Sequence, residues 1–151
     1  MDVIMTNYDA ITYYKGISVV RMLKQMVGDT AFNNGIRSYL DDYEFSSANA
    51  DDLWEEFTRA TGGSIQVKEL MDSWILQQGY PVVDVIKSTS ASGSRGIQLD
   101  QSLFLIKPDD VSFDYLTSSY SYKWYLEFTS ITENDDTVRT NYLEMDNRKF
   151  Y

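Results

Sequence analysis

The apolar residues of this chain change their spacing at positions 79–81. Before that point they recur every three or four positions, which is typical of helices that bury one face. After it, β-branched residues dominate short alternating runs, which is typical of antiparallel strands. The sequence therefore predicts an α+β chain in two parts. Residues 1–79 form a helical part, and residues 80–151 form an antiparallel β-sandwich.

Four helices are predicted in the first part. Gly28 separates the first two, and Asp29 is a suitable N-cap residue for the second. The third helix is predicted to start near Asn49 and to stop at the two glycines 62–63. The fourth is predicted to end with Gly79 at its C′ position, because glycine adopts the left-handed conformation found there at little cost.

Four strands are predicted in the second part. Their ranges are 82–86, 98–106, 122–132 and 138–145, with a polar turn at 133–136 and a loop rich in serine and glycine at 88–96. The aromatic residues Trp124, Tyr125 and Phe128 are predicted to lie in the sandwich core.

The composition excludes several kinds of chemistry. The 151 residues contain no histidine and no cysteine, so neither a His-dependent triad nor a His- or Cys-ligated zinc can be built from this chain alone. The formal net charge is −10, with no basic stripe to offset it. A phosphate backbone would be repelled, and we expect no nucleic acid partner.

Two segments have sequence motifs that are more specific than a generic helical pattern. Residues 8–16 read YDAITYYKG and are followed by VVRML at 19–23, and residues 71–83 read MDSWILQQGYPVV. With Asp52-Leu53-Trp54 between them, they resemble, in order and separation, the aminopeptidase N family of gluzincin zinc aminopeptidases. The resemblance covers residues 7–83 well and the remainder weakly.

The resemblance implies that the chain is a fragment. Residues 1–79 would be the C-terminal helical part of a zinc aminopeptidase catalytic domain, and residues 80–151 an incomplete β-sandwich domain. In this family an H-E-x-x-H motif and a downstream glutamate hold the zinc that activates water. Those ligands lie upstream, so zinc is expected in the parent enzyme and no metal ligand is expected in this chain.

The family motif places its catalytic tyrosine on Tyr13. By resemblance, Tyr13 donates a hydrogen bond to the oxyanion of the tetrahedral intermediate. Tyr8 matches the motif's aromatic residue, usually phenylalanine, that lines the pocket for the first side chain of the substrate. Tyr14 lies on a different helix face and is the alternative if the alignment shifts by one residue. Gly16 is expected to allow a close approach between helices.

Simpler interpretations of these residues remain open at this point. Tyr13 and Tyr8 could be core aromatics without a catalytic or binding role. Four acidic residues could form a carboxylate site, although a solvated helix face is the more common explanation: Asp51, Asp52, Glu55 and Glu56. The parent protein could also be a non-catalytic relative that serves as a binding or receptor module.

The resemblance also bears on partners and location. It implies peptide substrates bound through their N-termini and contacts with the remaining domains of the parent chain. Open strand edges would favour self-association of the isolated fragment. Residues 79–83 and 124–133 resemble the membrane-anchored ectoenzymes more than the cytosolic branch, so an extracellular or cell-surface location is favoured over a cytoplasmic one.

Overall fold

The computed structural model describes residues 11–89, 93, 95–106, 117–133, 135–143 and 149–150. Along these residues helices precede antiparallel strands, which confirms the predicted α+β order. A π-helical turn, Ile11–Lys15, is followed by α1 (Gly16–Asp42), α2 (Ala50–Ala60), α3 (Val67–Ile75), β1 (Pro81–Thr89), β2 (Arg95–Leu103), β3 (Leu126–Thr132), β4 (Asp135–Leu143) and β5 (Lys149–Phe150).

The chain divides into two compact units, Met1–Met71 and Asp72–Tyr151. This division falls within α3, a few residues before the domain boundary that the sequence predicts near Gly79. α3 ends at Ile75, so Gly79 is not its C′ residue, although Gly79 does have the positive φ of 80° that favours glycine. The domain boundary itself stays a prediction.

Gly28 interrupts α1 with non-helical dihedral angles, φ 80° and ψ 159°. The predicted separation of two helical segments at this residue is therefore present in the structure. In the first segment Val19, Leu23 and Met26 are buried. Because these residues recur every three or four positions, they form one face of the helix and fix which side of α1 points inward.

A capping box starts α2, as the acidic first turn after Asn49 suggests. The Asn49 side chain accepts hydrogen bonds from the main-chain N–H groups of Asp51 (2.7 Å) and Asp52 (3.3 Å), and Asp52 Oδ2 accepts from the Asn49 N–H (2.8 Å). These bonds satisfy N–H groups that have no partner inside the helix. Trp54 and Phe57 on α2 are buried.

Phe57 packs closely against α1. Its ring stacks on Phe32 with a centroid distance of 5.2 Å. A Cβ added to Gly35 would lie 2.6 Å from Phe57 Cδ1 and 3.3 Å from Phe57 Cα. The second distance involves main chain, so a change of ring rotamer would not relieve the contact fully. Gly35 is thus the residue that lets α1 and α2 approach each other.

We predict that Gly35→Ala lowers the free energy of unfolding by about 1 kcal/mol and Gly35→Val by about 3 kcal/mol, because overpacking costs more than the gain in helix propensity. Urea unfolding followed by circular dichroism measures both. Gly16→Ala is the control, since a Cβ at Gly16 meets no described atom within 4 Å. Equal stabilisation by Gly35→Ala and Gly16→Ala would contradict the close approach at Gly35.

The strands of the second unit form two antiparallel sheets. β1 pairs with β2 along its whole length, from Pro81 opposite Leu103 to Thr89 opposite Arg95, and β5 pairs with the other edge of β2. β3 pairs with β4, with an irregular register between Ser130 and Thr132. Residues of both sheets line an apolar cleft of about 350 Å³.

The strand predicted at 122–132 begins only at Leu126. Ser121 and Tyr122 have φ values of 52° and 54°, which lie in the left-handed region and cannot continue a strand. Tyr122 has a high strand propensity, but the local main-chain conformation overrides it. The buried position predicted for Trp124 is present, since its side chain is fully buried.

Side chains near the end of α3 bond to the irregular segment before β3. Trp74 Nε1 donates to the Tyr125 carbonyl (2.9 Å), and the Tyr125 N–H donates to Ser73 Oγ (3.2 Å). Gln77 Nε2 donates to the Lys123 carbonyl (2.7 Å). Ser73, Trp74 and Gln77 all lie in the segment MDSWILQQGYPVV at 71–83 that carries the family resemblance, and their role within this unit is structural.

Gln101 of β2 also bonds to this irregular segment, at the main chain of Trp124. Its side-chain amide donates to the Trp124 carbonyl (3.0 Å) and accepts from the Trp124 N–H (2.9 Å). Gln101 is itself buried, so these main-chain groups have little access to water. One side chain therefore satisfies both main-chain polar groups of the buried residue Trp124, as a neighbouring strand would.

We predict that Gln101→Leu lowers the free energy of unfolding by about 2–4 kcal/mol, because it leaves a buried donor and a buried acceptor without these bonds. The matched control is Gln78→Leu at an exposed position, where the same replacement should change stability by less than about 0.5 kcal/mol. Urea denaturation measures both. Equal losses for the two variants would show that the paired hydrogen bonds contribute nothing specific.

Candidate functional site

Tyr13 lies in the π-helical turn Ile11–Lys15, immediately before α1. Such turns are rare and occur frequently at functional sites, because the wider turn changes the direction of its side chains relative to an α-helix. The Tyr13 side chain is 51% exposed. A side chain that only fills a core would be far less accessible, so Tyr13 is not a core residue of this unit.

A recess of about 640 Å³ lies beside Tyr13 on the surface of the first unit. Most of its lining is apolar, and it runs along the first segment of α1. The lining residues are Tyr13, Gly16, Ile17, Val20, Arg21, Lys24 and Phe32. Tyr14 does not belong to this set and is 73% exposed. Of the two adjacent tyrosines, Tyr13 is therefore the one that faces the recess.

Ser18 supports the turn that carries the two tyrosines. Its hydroxyl donates to the main-chain carbonyl of Tyr14 at 2.7 Å. This bond lies where the π-helical pattern gives way to the α-helical one, so the serine adds a donor at the change of register. It ties the residue beside Tyr13 to the first turn of α1.

Two cations stand at the far end of the recess. Lys24 Nζ lies 3.1 Å from Asp29 Oδ1 and 5.9 Å from the centre of the Phe32 ring. Arg21 is exposed and also lines the recess. Asp29 therefore accompanies the two cations at this end, and the surface of the recess itself is almost entirely apolar.

Lys15 and Gly16 follow Tyr13 in the motif, and the expectation for Gly16 is wrong. Partial burial lowers the pKa of the Lys15 ammonium, because desolvation disfavours its charged form. Gly16 is not a point of close helix approach, since a Cβ there meets no described atom within 4 Å. Its lack of a side chain instead leaves the recess open next to Tyr13.

Tyr8, which the resemblance places in the substrate pocket, lies outside the described residues. The described part of the chain contains no group of three or more His, Cys, Asp or Glu residues that could hold a metal ion. With no histidine or cysteine in the sequence, the residues present do not fit the zinc centre that the resemblance implies.

The acidic residues of α2 have structural partners. Asp51 pairs with Lys68 at 2.5 Å, and Asp52 belongs to the capping box. Arg59 binds Glu55 at 3.3 Å and Glu56 at 2.6 Å. Glu56 is not on a solvated face as expected, because its side chain is only 2% exposed and the Arg59 ion pair offsets its burial. These contacts give each acidic residue a partner within the chain, although Glu56 Oε2 is buried with no hydrogen bond to any described residue.

Sequence reasoning missed the recess and the contribution of Arg21, Lys24 and Phe32. A signal was present, since Tyr13, Ile17, Val20 and Lys24 follow one another at spacings of four, three and four. Such spacings place side chains on one helix face. The motif singles out Tyr13 and Tyr8, and it does not indicate that the apolar residues after Tyr13 line a recess.

Comparison with known proteins agrees with the motif. A family model described as the peptidase family M1 domain matches residues 2–74. The chain belongs to peptidase family M1. It is 34% identical to aminopeptidase N of Mus musculus over 121 residues, 33% identical to glutamyl aminopeptidase of Sus scrofa over 135 residues, and 31% identical to the thyrotropin-releasing hormone-degrading ectoenzyme of Mus musculus over 134 residues.

These M1 relatives are much longer than this chain. The matches cover 76%, 89% and 87% of the chain but only 12%, 13% and 12% of the respective relatives. A match of 134 residues cannot fit within 7–83, so the similarity extends well into the strand-rich half. No helix in the described ranges combines the length and apolar character needed to cross a bilayer.

Proposed function

We propose that the protein carrying this chain is a zinc-dependent aminopeptidase that removes N-terminal residues from peptides, and that Tyr13 stabilises its tetrahedral intermediate. The observation that supports the role of Tyr13 is its position: a half-exposed phenol on a π-helical turn, at the edge of a recess of about 640 Å³. Peptide substrates are proposed because the M1 relatives are named as aminopeptidases.

A tyrosine hydroxyl suits this role because it is a neutral hydrogen-bond donor near pH 7. When the scissile carbonyl is attacked, negative charge develops on its oxygen, and the Tyr13 O–H donates a hydrogen bond to that oxygen. The interaction is stronger in the transition state than with the neutral carbonyl, so it lowers the barrier rather than only improving binding. One such donor typically contributes about 2.7–4 kcal/mol.

The zinc would have to be held by residues outside this chain. When bound, it would supply a polarising positive charge at the reacting centre. This chain contributes the phenol of Tyr13, and the Ser18 hydroxyl supports the turn on which that phenol stands. We propose that the 151 residues alone are inactive.

We predict that Tyr13→Phe in the full-length protein lowers kcat by about 10²–10³-fold with little change in KM, because only a transition-state interaction is lost. Tyr14→Phe is the matched control and should stay within about twofold of wild type, since Tyr14 does not line the recess. Steady-state kinetics on an aminoacyl substrate measures both. Near wild-type turnover of Tyr13→Phe would refute the catalytic role of Tyr13, whereas no turnover by the wild-type full-length protein would favour a binding or receptor module.

The purified 151-residue chain should show no metal-dependent cleavage of aminoacyl substrates, because it contains no histidine for a zinc centre. The assay compares the chain with and without added zinc, next to the full-length protein as positive control. Zinc-dependent turnover by the short chain would contradict this prediction.

A cell-surface or extracellular location is proposed, because one relative is named as an ectoenzyme. Surface labelling of cells that express the full-length protein tests it. Labelling only after permeabilisation would show that the protein is inside the cell and would contradict this location.

A further inference from the structure

We propose that Ser18 is a positioning residue for Tyr13: its hydrogen bond to the Tyr14 carbonyl holds the π-helical turn and thereby sets the direction of the Tyr13 phenol. The inference rests on the proposed function, because it concerns the hydrogen bond that Tyr13 donates to the oxyanion. It adds to that function a second side chain on which turnover depends and which acts only through Tyr13.

The junction between the π-helical turn and α1 has no conventional helix start. Lys15, the residue before Gly16, has helical dihedral angles (φ −66°, ψ −45°) and provides no side-chain cap. The main chain therefore passes directly from hydrogen bonds between residues five apart to hydrogen bonds between residues four apart. Such a change of spacing displaces carbonyl groups from their regular N–H partners, so a side-chain donor has a specific use there.

Ser18 supplies a donor at this junction. Its Oγ lies 2.7 Å from the Tyr14 carbonyl oxygen, which is a usual distance for a hydrogen bond between a hydroxyl and an oxygen. In an uninterrupted α-helix, a serine bonded to the carbonyl four residues earlier slightly destabilises the helix and often bends it. Beside a π-helical turn the same bond favours the observed conformation, because the main chain already departs from α-helical geometry there.

Fixing the Tyr14 carbonyl also restrains Tyr13. The two residues are adjacent in the π-helical turn Ile11–Lys15, so a fixed carbonyl on Tyr14 limits how far the turn can relax toward an α-helix. Gly16 follows the turn, and its permissive main chain does not by itself favour the wider spacing. Relaxation of the turn would redirect the Tyr13 side chain, because side-chain direction follows the main-chain conformation.

Small changes in the direction of the phenol matter for catalysis. A donor stabilises an oxyanion when it lies about 2.7–3.1 Å from the position of that oxygen in the tetrahedral intermediate. A displacement of about 1 Å can cost roughly 10²-fold in rate, even when the altered residue lies away from the reacting atoms. Ser18 is such a residue, since it is not among the described residues that line the recess beside Tyr13.

Steady-state kinetics of the full-length protein tests the role of the Ser18 hydroxyl. Ser18→Ala should lower kcat about tenfold and leave KM within about twofold, because the phenol is kept but occupies its productive position for less of the time. Ser18→Thr should recover most of kcat, since a threonine hydroxyl can also bond the carbonyl four residues earlier. An unchanged kcat in Ser18→Ala, or an equal loss in Ser18→Thr, would overturn the proposal.

Ser64→Ala is the matched control. Ser64 is also exposed and donates its hydroxyl to a nearby main-chain carbonyl, that of Thr61 at 2.8 Å. Its replacement should leave kcat within about twofold of wild type, and a similar loss in both alanine variants would contradict a specific role for Ser18. Alanine has the highest helix propensity, so Ser18→Ala should fold, which circular dichroism establishes. Ser18→Cys, with only a weak S–H donor, carries the test if it does not.

A double-mutant cycle separates a positioning role from a merely structural one. In a Tyr13→Phe background the hydroxyl that Ser18 positions is absent, so adding Ser18→Ala should change kcat by less than about twofold. A further loss of about tenfold in this background would mean that Ser18 affects turnover without Tyr13, and the proposal would fall.

A spectroscopic measurement distinguishes failure of this inference from failure of the proposed function. A fluorinated tyrosine in place of Tyr13 in the full-length protein reports the surroundings of the ring by fluorine NMR, and Ser18→Ala should shift its resonance while Ser64→Ala should not. If Tyr13→Phe loses turnover but Ser18→Ala changes neither kcat nor the resonance, the catalytic role of Tyr13 stands and the positioning role falls. If Tyr13→Phe keeps its turnover, the catalytic role falls. A resonance shift in Ser18→Ala alone would then support positioning of the ring, and no shift would overturn it.

Discussion

The structure of the strand-rich unit depends on how the main chain of residues 123–125 finds hydrogen-bond partners. Buried N–H and C=O groups are costly to leave unpaired, and this stretch lies before β3, outside any strand. Side chains from two distant elements supply the partners: Trp74 and Gln77 at the end of α3, and Gln101 on β2. Trp124 is buried by this arrangement, so the helix end, the irregular segment and the sheet stabilise one another.

Local signals in the sequence predicted much of the fold. Gly28 interrupts α1 and Asn49 caps α2, because conformational freedom and capping are properties of a residue and its near neighbours. The start of β3 was wrong because Tyr122 adopts a positive φ that its propensity does not reveal. The role of Gln101 could not be predicted, since its partner Trp124 lies 23 residues away.

The candidate site was only partly predictable for a similar reason. The motif singled out Tyr13, but the π-helical turn that carries it has no recognisable sequence signal. Nor does periodicity alone tell which of two apolar faces of α1 is buried. That choice depends on tertiary packing, which buries Val19, Leu23 and Met26 and leaves Ile17 and Val20 exposed. Once that face is buried, the face with Tyr13 is left accessible.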